Sequence, residues 1–318
     1  MLRFTLKRIG LSFVTLFLVA LIVFFMTHIL PGDLARQTLG RDALEESVKQ
    51  FNIKNGFDKP LLTQFFIWIT NLLQGDLGVS LRYGNSVSEL LAKPAIKSAQ
   101  LAIVSLFIIV PISVFGGVIA AMRRGKFTDR LITIGGLSAA VIPEFVWSVI
   151  LILTFGVSFR IFPVSAFPAA GTGTFFNSIY HLIMPSTALL LVLFGYISRI
   201  TRAGVVEALE SDYMRTAVLK GHSRGSAVLR HVLRNALLPT IAVIASQIPY
   251  LVGGLVAVEL VFAYPGFGTL LLGAVNARDF SVLQTAVLLT GAVIIFFQLI
   301  ADLLFAVLNP RIRQRVTE

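Results

Sequence analysis

The chain has 318 residues, of which 56% are hydrophobic and only 14% charged, with a formal net charge of +11 and a mean hydropathy of +0.85. Soluble domains carry about 25% charged residues, so this composition excludes an ordinary soluble globule and describes a membrane protein. The absence of cysteine excludes a disulfide framework, an iron–sulfur cluster and a thiolate metal site.

A helix needs about 20 apolar residues to cross a hydrocarbon core. Six segments meet that length: 9–30, 99–122, 131–157, 182–200, 237–262 and 283–308. The expected fold class is an all-α membrane protein with six transmembrane helices. The first segment, in "MLRFTLKRIGLSFVTLFLVALIVFFMTHILPGD", follows a basic start that resembles a secretory signal. Its apolar run exceeds the roughly 7 to 15 residues of a signal core and no small-residue cleavage site follows, so it is expected to remain as an uncleaved anchor.

Residues 31–98 form the first loop, and they are patterned rather than linker-like. "LEESVKQFNI" (44–53) predicts a short helix. "DKPLLTQFFIWITNLLQGDLG" predicts another, with Pro60 in its first turn and Gly75 at its end. Its apolar run is too short to span, so it is expected at the membrane surface or against other helices, with Trp68 suited to the interface. "SVSE" (86–89) fits a capping box from Ser86 to Glu89 that opens the way to the second span.

Span three contains Pro143 and Glu144, and span four lies between Pro185 and Arg199. Span five holds Gln247, Pro249 and Glu259, and span six holds Asp302. Ionisable groups are costly in hydrocarbon and mark functional positions by default, while proline frees a carbonyl of the preceding turn. Pro143, Glu144, Gln247 and Glu259 are therefore the candidates for a polar translocation path; for Glu259 and Asp302 a structural pairing is the competing reading. Between spans five and six, "YPGFGTLLLGAVNARDF" (264–280) combines a Pro-Gly turn with a short apolar helix.

Lysine and arginine accumulate in cytoplasmic loops. With the N-terminus inside, residues 1–8, 123–130, 199–236 and 309–318 are cytoplasmic and hold 17 of the 27 basic residues. The remaining basic residues lie mostly in the long 31–98 loop, and long loops translocate largely regardless of charge. Both termini are expected inside, and 31–98 is expected to be a periplasmic helical cap. Scattering over four membrane-flanking pieces makes membrane topology, not nucleic acid, the reason for the positive charge. The organisation is thus a cytoplasmic N-terminus (1–8), a first span (9–30), the cap (31–98), a transmembrane domain (99–308) and a cytoplasmic tail (309–318).

Nothing in the chain supports catalysis. There are four histidines, at 28, 181, 222 and 231, and no HExxH, GxSxG or phosphate-binding glycine loop. A proton-coupled carrier calls for buried charge pairs and two related halves, and a channel calls for a filter-like loop at membrane depth. An ATP-independent carrier or channel is the alternative of another class, and the sequence shows neither pattern plainly.

The loop 201–236 reads as helix, break, helix. Asp212 can cap a turn after Ser211, Gly221 stops the helix, and Ser223 can cap a second helix through "RGSAVLRHVLRNALL". A basic amphipathic helix resting on anionic lipid is one reading of such a pattern.

The stretch "SDYMRTAVLKGHSRGSAVLRHVLRNALLP" resembles the cytoplasmic EAA loop of permease subunits in bacterial ABC importers, specifically the dipeptide, oligopeptide and nickel permease group. The general pattern E-A-A-x3-G-x9-I-x-L-P keeps Ala217, Gly221 and Leu233 here. Arg215 and Thr216 replace its first two positions, and the proline falls at Pro239. That form agrees with the "DYxRTAxxKG…LRHxLRNALLP" of the peptide and nickel subgroup. "GDLGVSL", "RRGKFTDR", "IPEFVW", "VELVFAYPGFGTLLLGAVNARDF" and "NPRIR" resemble the group's segments in the same order, across nearly the whole chain. The resemblance implies the type I ABC importer permease fold in the bacterial inner membrane. It also implies a second homologous permease, two ATPase subunits and an extracytoplasmic substrate-binding protein. ATP and Mg would be bound by the ATPases, so no cofactor is expected in this chain. Asp212, Tyr213, Arg215, Thr216, Ala217 and Gly221 would form the joint with an ATPase. The expected cargo is di- or oligopeptides, with nickel, glutathione, opines or oligosaccharides as alternatives.

Overall fold

The structure is a computed structural model describing residues 2–29, 34–40, 42–80, 82–168, 175–219 and 236–308. Among these residues the chain is helical almost throughout, with an isolated antiparallel bridge between Val79 and Ser86. Helices α1 (Leu2–Ile29), α2 (Leu34–Leu39), α3 (Glu45–Asn55) and α4 (Leu61–Leu73) precede the long α5 (Val87–Met122). Next come α6 (Phe127–Val141), α7 (Glu144–Leu151) and a π-helical run, Ile152–Ser158. The chain continues through α8 (Phe175–Leu209), α9 (Asp212–Leu219), α10 (Leu238–Val261), α11 (Phe267–Ala277) and α12 (Phe280–Leu308). Of the expected helix through "RGSAVLRHVLRNALL" (224–238), residues 224–235 lie outside the described residues, as does the "NPRIR" tail.

Five helices are long and apolar enough to cross a membrane, and a sixth span exists only if α6 and α7 count as one. Those two are bent by 103°. The expected span over 131–157 is thus a pair of helices with a sharp bend between them. The cause is Pro143, whose ring supplies no N–H and displaces the carbonyl four residues earlier. That carbonyl, on Ala139, accepts instead from the Ile142 N–H at 3.2 Å and from the Trp147 indole N–H at 2.9 Å. The indole therefore satisfies the acceptor that the proline leaves, and it holds the break.

The chain divides into two compact units, one of residues 1–9, 97–269 and 293–318, the other of residues 10–96 and 270–292. In the first, Leu101, Ile109, Leu189, Ile197, Leu251 and Val258 form a buried apolar core. Without a hydrophobic drive in lipid, helices associate through small residues that let backbones touch. A Cβ at Gly195 of α8 would lie 2.2 Å from the Gly136 carbonyl oxygen of α6, and one at Gly117 of α5 would lie 2.6 Å from the Ser198 carbonyl oxygen. α8 is one continuous helix of 35 residues running through Pro185 and past Arg199, longer than the expected 182–200. At 1.5 Å per residue it measures about 52 Å, well beyond a hydrocarbon core of about 30 Å. Asp302 of α12 pairs with Arg8 of α1, Oδ2 to Nη1 at 2.9 Å.

In the second unit, α4 lies against α1 as an aromatic cluster. Phe65 is buried and meets Phe24 at 5.3 Å and Phe17 at 5.9 Å between ring centroids, both edge to face, and Trp68 meets Phe24 at 5.7 Å. Of the two expected placements for α4, packing on a helix is the one observed. α3 closes at Gly56, whose φ of 73° allows the Phe57 N–H to reach the Asn52 carbonyl at 2.8 Å. Ser86 does not close the expected box with Glu89, because its hydroxyl shares a 2.7 Å hydrogen bond with Ser88. Residues after "GDLG" bind the head of α12, where the buried Ser80 hydroxyl donates to the Asp279 carboxylate. Gln284 of α12 donates from Nε2 to the Thr27 hydroxyl of α1 at 2.6 Å.

Candidate functional site

α8 stops at Leu209, and α9 restarts three residues later. Between them Ser211 turns its hydroxyl back to the Ala208 carbonyl at 2.5 Å, while its own carbonyl accepts the Met214 and Arg215 N–H groups. Serine suits this place because its side chain competes for local backbone groups and favours helix starts. The side chain of Met214 is 5% exposed and packs with Ala121, Val205, Ala208 and Ala236. This methionine roots α9 on the helices above it.

The opposite side of α9 is open. Asp212, Arg215, Thr216 and Leu219 are all exposed, and their spacing of i, i+3, i+4 and i+7 puts them on one face. Leu219 is 87% exposed, an apolar group with no cover at the end of that stripe. Thr216 donates from its hydroxyl to the Asp212 carbonyl at 2.9 Å. Arg215 stands 3.9 Å from the Asp212 carboxylate, both side chains almost fully in solvent, and a pair this exposed contributes little. Both charges are left available to an outside partner. Gly221 and the side chains of Tyr213 and Ala217 lie outside the described residues.

The two ends of the loop return to the same place. A Cβ at Gly204 of α8 would lie 2.5 Å from the Ala236 carbonyl oxygen, so glycine lets the start of α10 touch α8 directly. Thr240 donates to Thr201 at 3.3 Å beside it. A force applied to α9 therefore has two short routes into the long helices, through residues 210–211 into α8 and through Ala236 into α10.

The four residues expected on a translocation path are not gathered at one point. Pro143 forms the exposed corner between α6 and α7, and Glu144 begins α7, half-buried. Glu144 lies against α10, where a Cβ at Gly254 would sit 3.4 Å from its Oε1. Gln247 is also half-buried and precedes Gly254 by two turns, on the same face of α10. Glu259 is about 140° round the helix from Gly254 and fully buried, at 0% exposure.

The surroundings of Glu259 explain why so costly a group is there. Its Oε2 accepts the Gly268 N–H at 2.7 Å, and its Oε1 accepts from the Ser98 hydroxyl. Ser98 Oγ in turn accepts the Phe267 N–H at 2.7 Å. The carboxylate thus caps the first turn of α11, where the helix dipole favours a negative charge. Gly266 and Gly268 of "YPGFG" must be small, since a Cβ would lie 2.2 Å and 2.9 Å respectively from the Glu259 carboxylate oxygens. Tyr264 completes the clamp by donating from its hydroxyl to the Lys97 carbonyl at 3.0 Å. Burial, and secondarily the nearby Glu259, push that hydroxyl up to about 12, so it stays a donor.

Sequence reasoning missed Ser98 and the two glycines, although a lone carboxyl in an apolar span followed by a glycine-rich turn is a usable signal for such a clamp. It also missed Asp129 and Arg202, which pair on α6 and α8. Among the described residues no cluster of acidic or histidine side chains could hold a metal ion.

Comparison with known families fixes the class. Residues 113–314 match the family described as binding-protein-dependent transport system inner membrane component, and residues 1–85 match the N-terminal family of such membrane components. The chain belongs to this family. Three relatives carry one description, glutathione transport system permease protein GsiC. They come from Escherichia coli strain K12, E. coli O6:H1 strain CFT073 and Shigella dysenteriae serotype 1. Each is 36% identical over 315 residues, covering 99% of this chain and 100% of the relative. The permease is therefore a multi-pass inner-membrane subunit of an ABC importer with the type I fold, and a transporter part rather than an enzyme.

Proposed function

We propose that the permease imports small peptides, with the tripeptide glutathione as the first cargo to test, and that α9 is its joint with an ATPase subunit. The cargo reading is supported by end-to-end similarity to permeases described as glutathione transporters. The permease pairs with a second, homologous permease to enclose the path. Two ATPases bind ATP and Mg below it, and an extracytoplasmic binding protein delivers cargo above. Both termini and the 201–236 loop face the cytoplasm, and residues 31–98 form the cap on which the binding protein docks. Asp212, Tyr213, Arg215, Thr216, Ala217 and Gly221 make the ATPase joint. Glu144 and Gln247 line the path beside the Pro143 corner, where a carboxylate suits the ammonium group of a peptide.

The observation that carries the joint is the open stripe of Asp212, Arg215, Thr216 and Leu219 on a helix rooted through Met214. ATP binding closes the ATPase pair, the groove holding α9 moves, and the helices attached to it follow. Such a part needs a firm grip and two global states, and no covalent chemistry. The test uses the cysteine-free chain: Leu219→Cys carrying a photo-crosslinker, in the assembled transporter, is expected to give an adduct with an ATPase subunit. Adducts with lipid alone would reject the joint and favour a helix resting on the membrane.

A further inference from the structure

Resting on that reading of α9, we propose that the Asp129–Arg202 pair is the register pin that carries motion of α8 into α6 and on to the 103° bend. The two would be positioning residues for coupling. Arg202 lies on α8 about three turns before Asp212. Its Nε donates to Asp129 Oδ1 at 2.6 Å and its Nη2 to Oδ2 at 2.8 Å, the two-pronged geometry that fixes orientation as well as distance. Asp129 is 4% exposed and saturated, since Oδ2 also accepts the Gly125 N–H at 2.8 Å and Oδ1 accepts from Thr133 at 3.3 Å. Gly125 has a φ of 77°, a conformation that favours glycine, and this lets "RRGKFTDR" fold its own backbone onto the carboxylate. Beside it Arg124 pairs with Glu210, at the junction between α8 and α9.

The physical need for a pin comes from the rest of the α6–α8 contact. Gly136 and Gly195 meet backbone to backbone, and the Phe194 ring of α8 packs onto Gly136 and Gly116. The glycines offer this ring no side chain to lock against, so the contact resists separation more than sliding. A buried, bidentate ion pair adds little net stability, because desolvation offsets its attraction, but it does fix register. With the pair in place, a shift of α8 drags the first turn of α6. α6 ends at the Pro143 corner, where Glu144 begins α7. Without the pair, α8 slips past α6 and the bend stays where it was.

The test reads the bend, so it does not require knowing the cargo. In the complete transporter, with both permeases and both ATPases in lipid nanodiscs, Val141→Cys places this chain's sole thiol beside the bend, at a residue 82% exposed. Its maleimide labelling rate is measured without nucleotide and with MgATP and vanadate. The expected result is a nucleotide-dependent change of about fivefold or more, the range of an ordinary coupling free energy. Asp129→Asn should abolish that change while both ATPases still co-purify and hydrolyse ATP. Arg202→Lys, which keeps the charge but loses the two-pronged contact, should retain part of it. A full response in Asp129→Asn would overturn the proposal, as would no response in the wild type. Loss of assembly in both Asp129→Asn and Arg202→Lys would make the pair a folding element only, and overturn it too. Failure of the α9 reading shows separately, as an absent Leu219 crosslink with the labelling response intact.

Discussion

Replacing Gly195 with alanine tests how closely the long helices of the permease are packed. The added carbon would sit 2.2 Å from the Gly136 carbonyl oxygen and 2.8 Å from the Leu137 nitrogen, both backbone atoms that no rotamer change can move. Ordinary contact begins near 3.4 Å, so α6 and α8 must part by about 1 Å, and overpacking of this kind costs about 1 to 3 kcal/mol. The intrinsic preference of a helix for alanine over glycine returns at most about 1 kcal/mol. The net effect is destabilising. The control is on the facing helix: a Cβ at Gly135 meets nothing within 4 Å, so Gly135→Ala keeps the helical gain without the clash. Thermal inactivation of the purified permease in detergent, followed as loss of monodisperse protein, compares the two. Heating membrane proteins is often irreversible, so half-lives at one temperature are the measure. Gly195→Ala should shorten the half-life and Gly135→Ala should match or exceed wild type. Equal behaviour of the two variants would refute the close α6–α8 crossing.

The other predictions concern the clamp and the joint. Glu259→Ala leaves the Gly268 N–H and the Ser98 hydroxyl without their acceptor, at about 1 to 3 kcal/mol for each buried orphan. Hydrogen exchange of the 264–270 backbone should then rise, and unchanged protection would mean that the carboxylate does not hold the turn. Ala217→Asp puts a charge in the proposed ATPase joint. Membrane insertion should persist while peptide uptake is abolished and cargo-loaded binding protein no longer stimulates ATP hydrolysis. Normal stimulation in that variant would show that residue 217 is not in the joint.

The spans were legible in the sequence because hydrocarbon imposes a length rule on any helix that crosses it. Local punctuation was legible where one residue decides it, as at Gly75, in the left-handed region. Partners far apart in sequence were not. Glu259 stood out as an ionisable group in an apolar run, but the donors that satisfy it are the Ser98 hydroxyl and the Gly268 N–H on the following turn. Asp129 is the one acid within "RRGKFTDR", and the cation that pairs with it is contributed by α8, 73 residues later. The restart of α9 after Ser211 was legible, but its cap was not: Asp212, the expected cap, is the first helical residue with its side chain in solvent, and the Ser211 carbonyl accepts the first helical N–H groups. The open face of α9 was not legible, because which side of an eight-residue helix is covered depends on where Met214 finds apolar neighbours.

By itself the sequence determined a basic, cysteine-free, helical membrane permease with an interrupted polar helix after its fourth long apolar segment. Composition, charge placement and ordered motifs are local properties, and each is written where it acts. Tertiary structure decided that the third apolar segment breaks at Pro143, that both ends of the 201–236 loop meet at Gly204 and Ala236, and that two carboxylates are wholly engaged. Those outcomes follow from a different cause. A buried charge or a freed carbonyl must find a partner in space, and only the packing of distant helices says which one it finds.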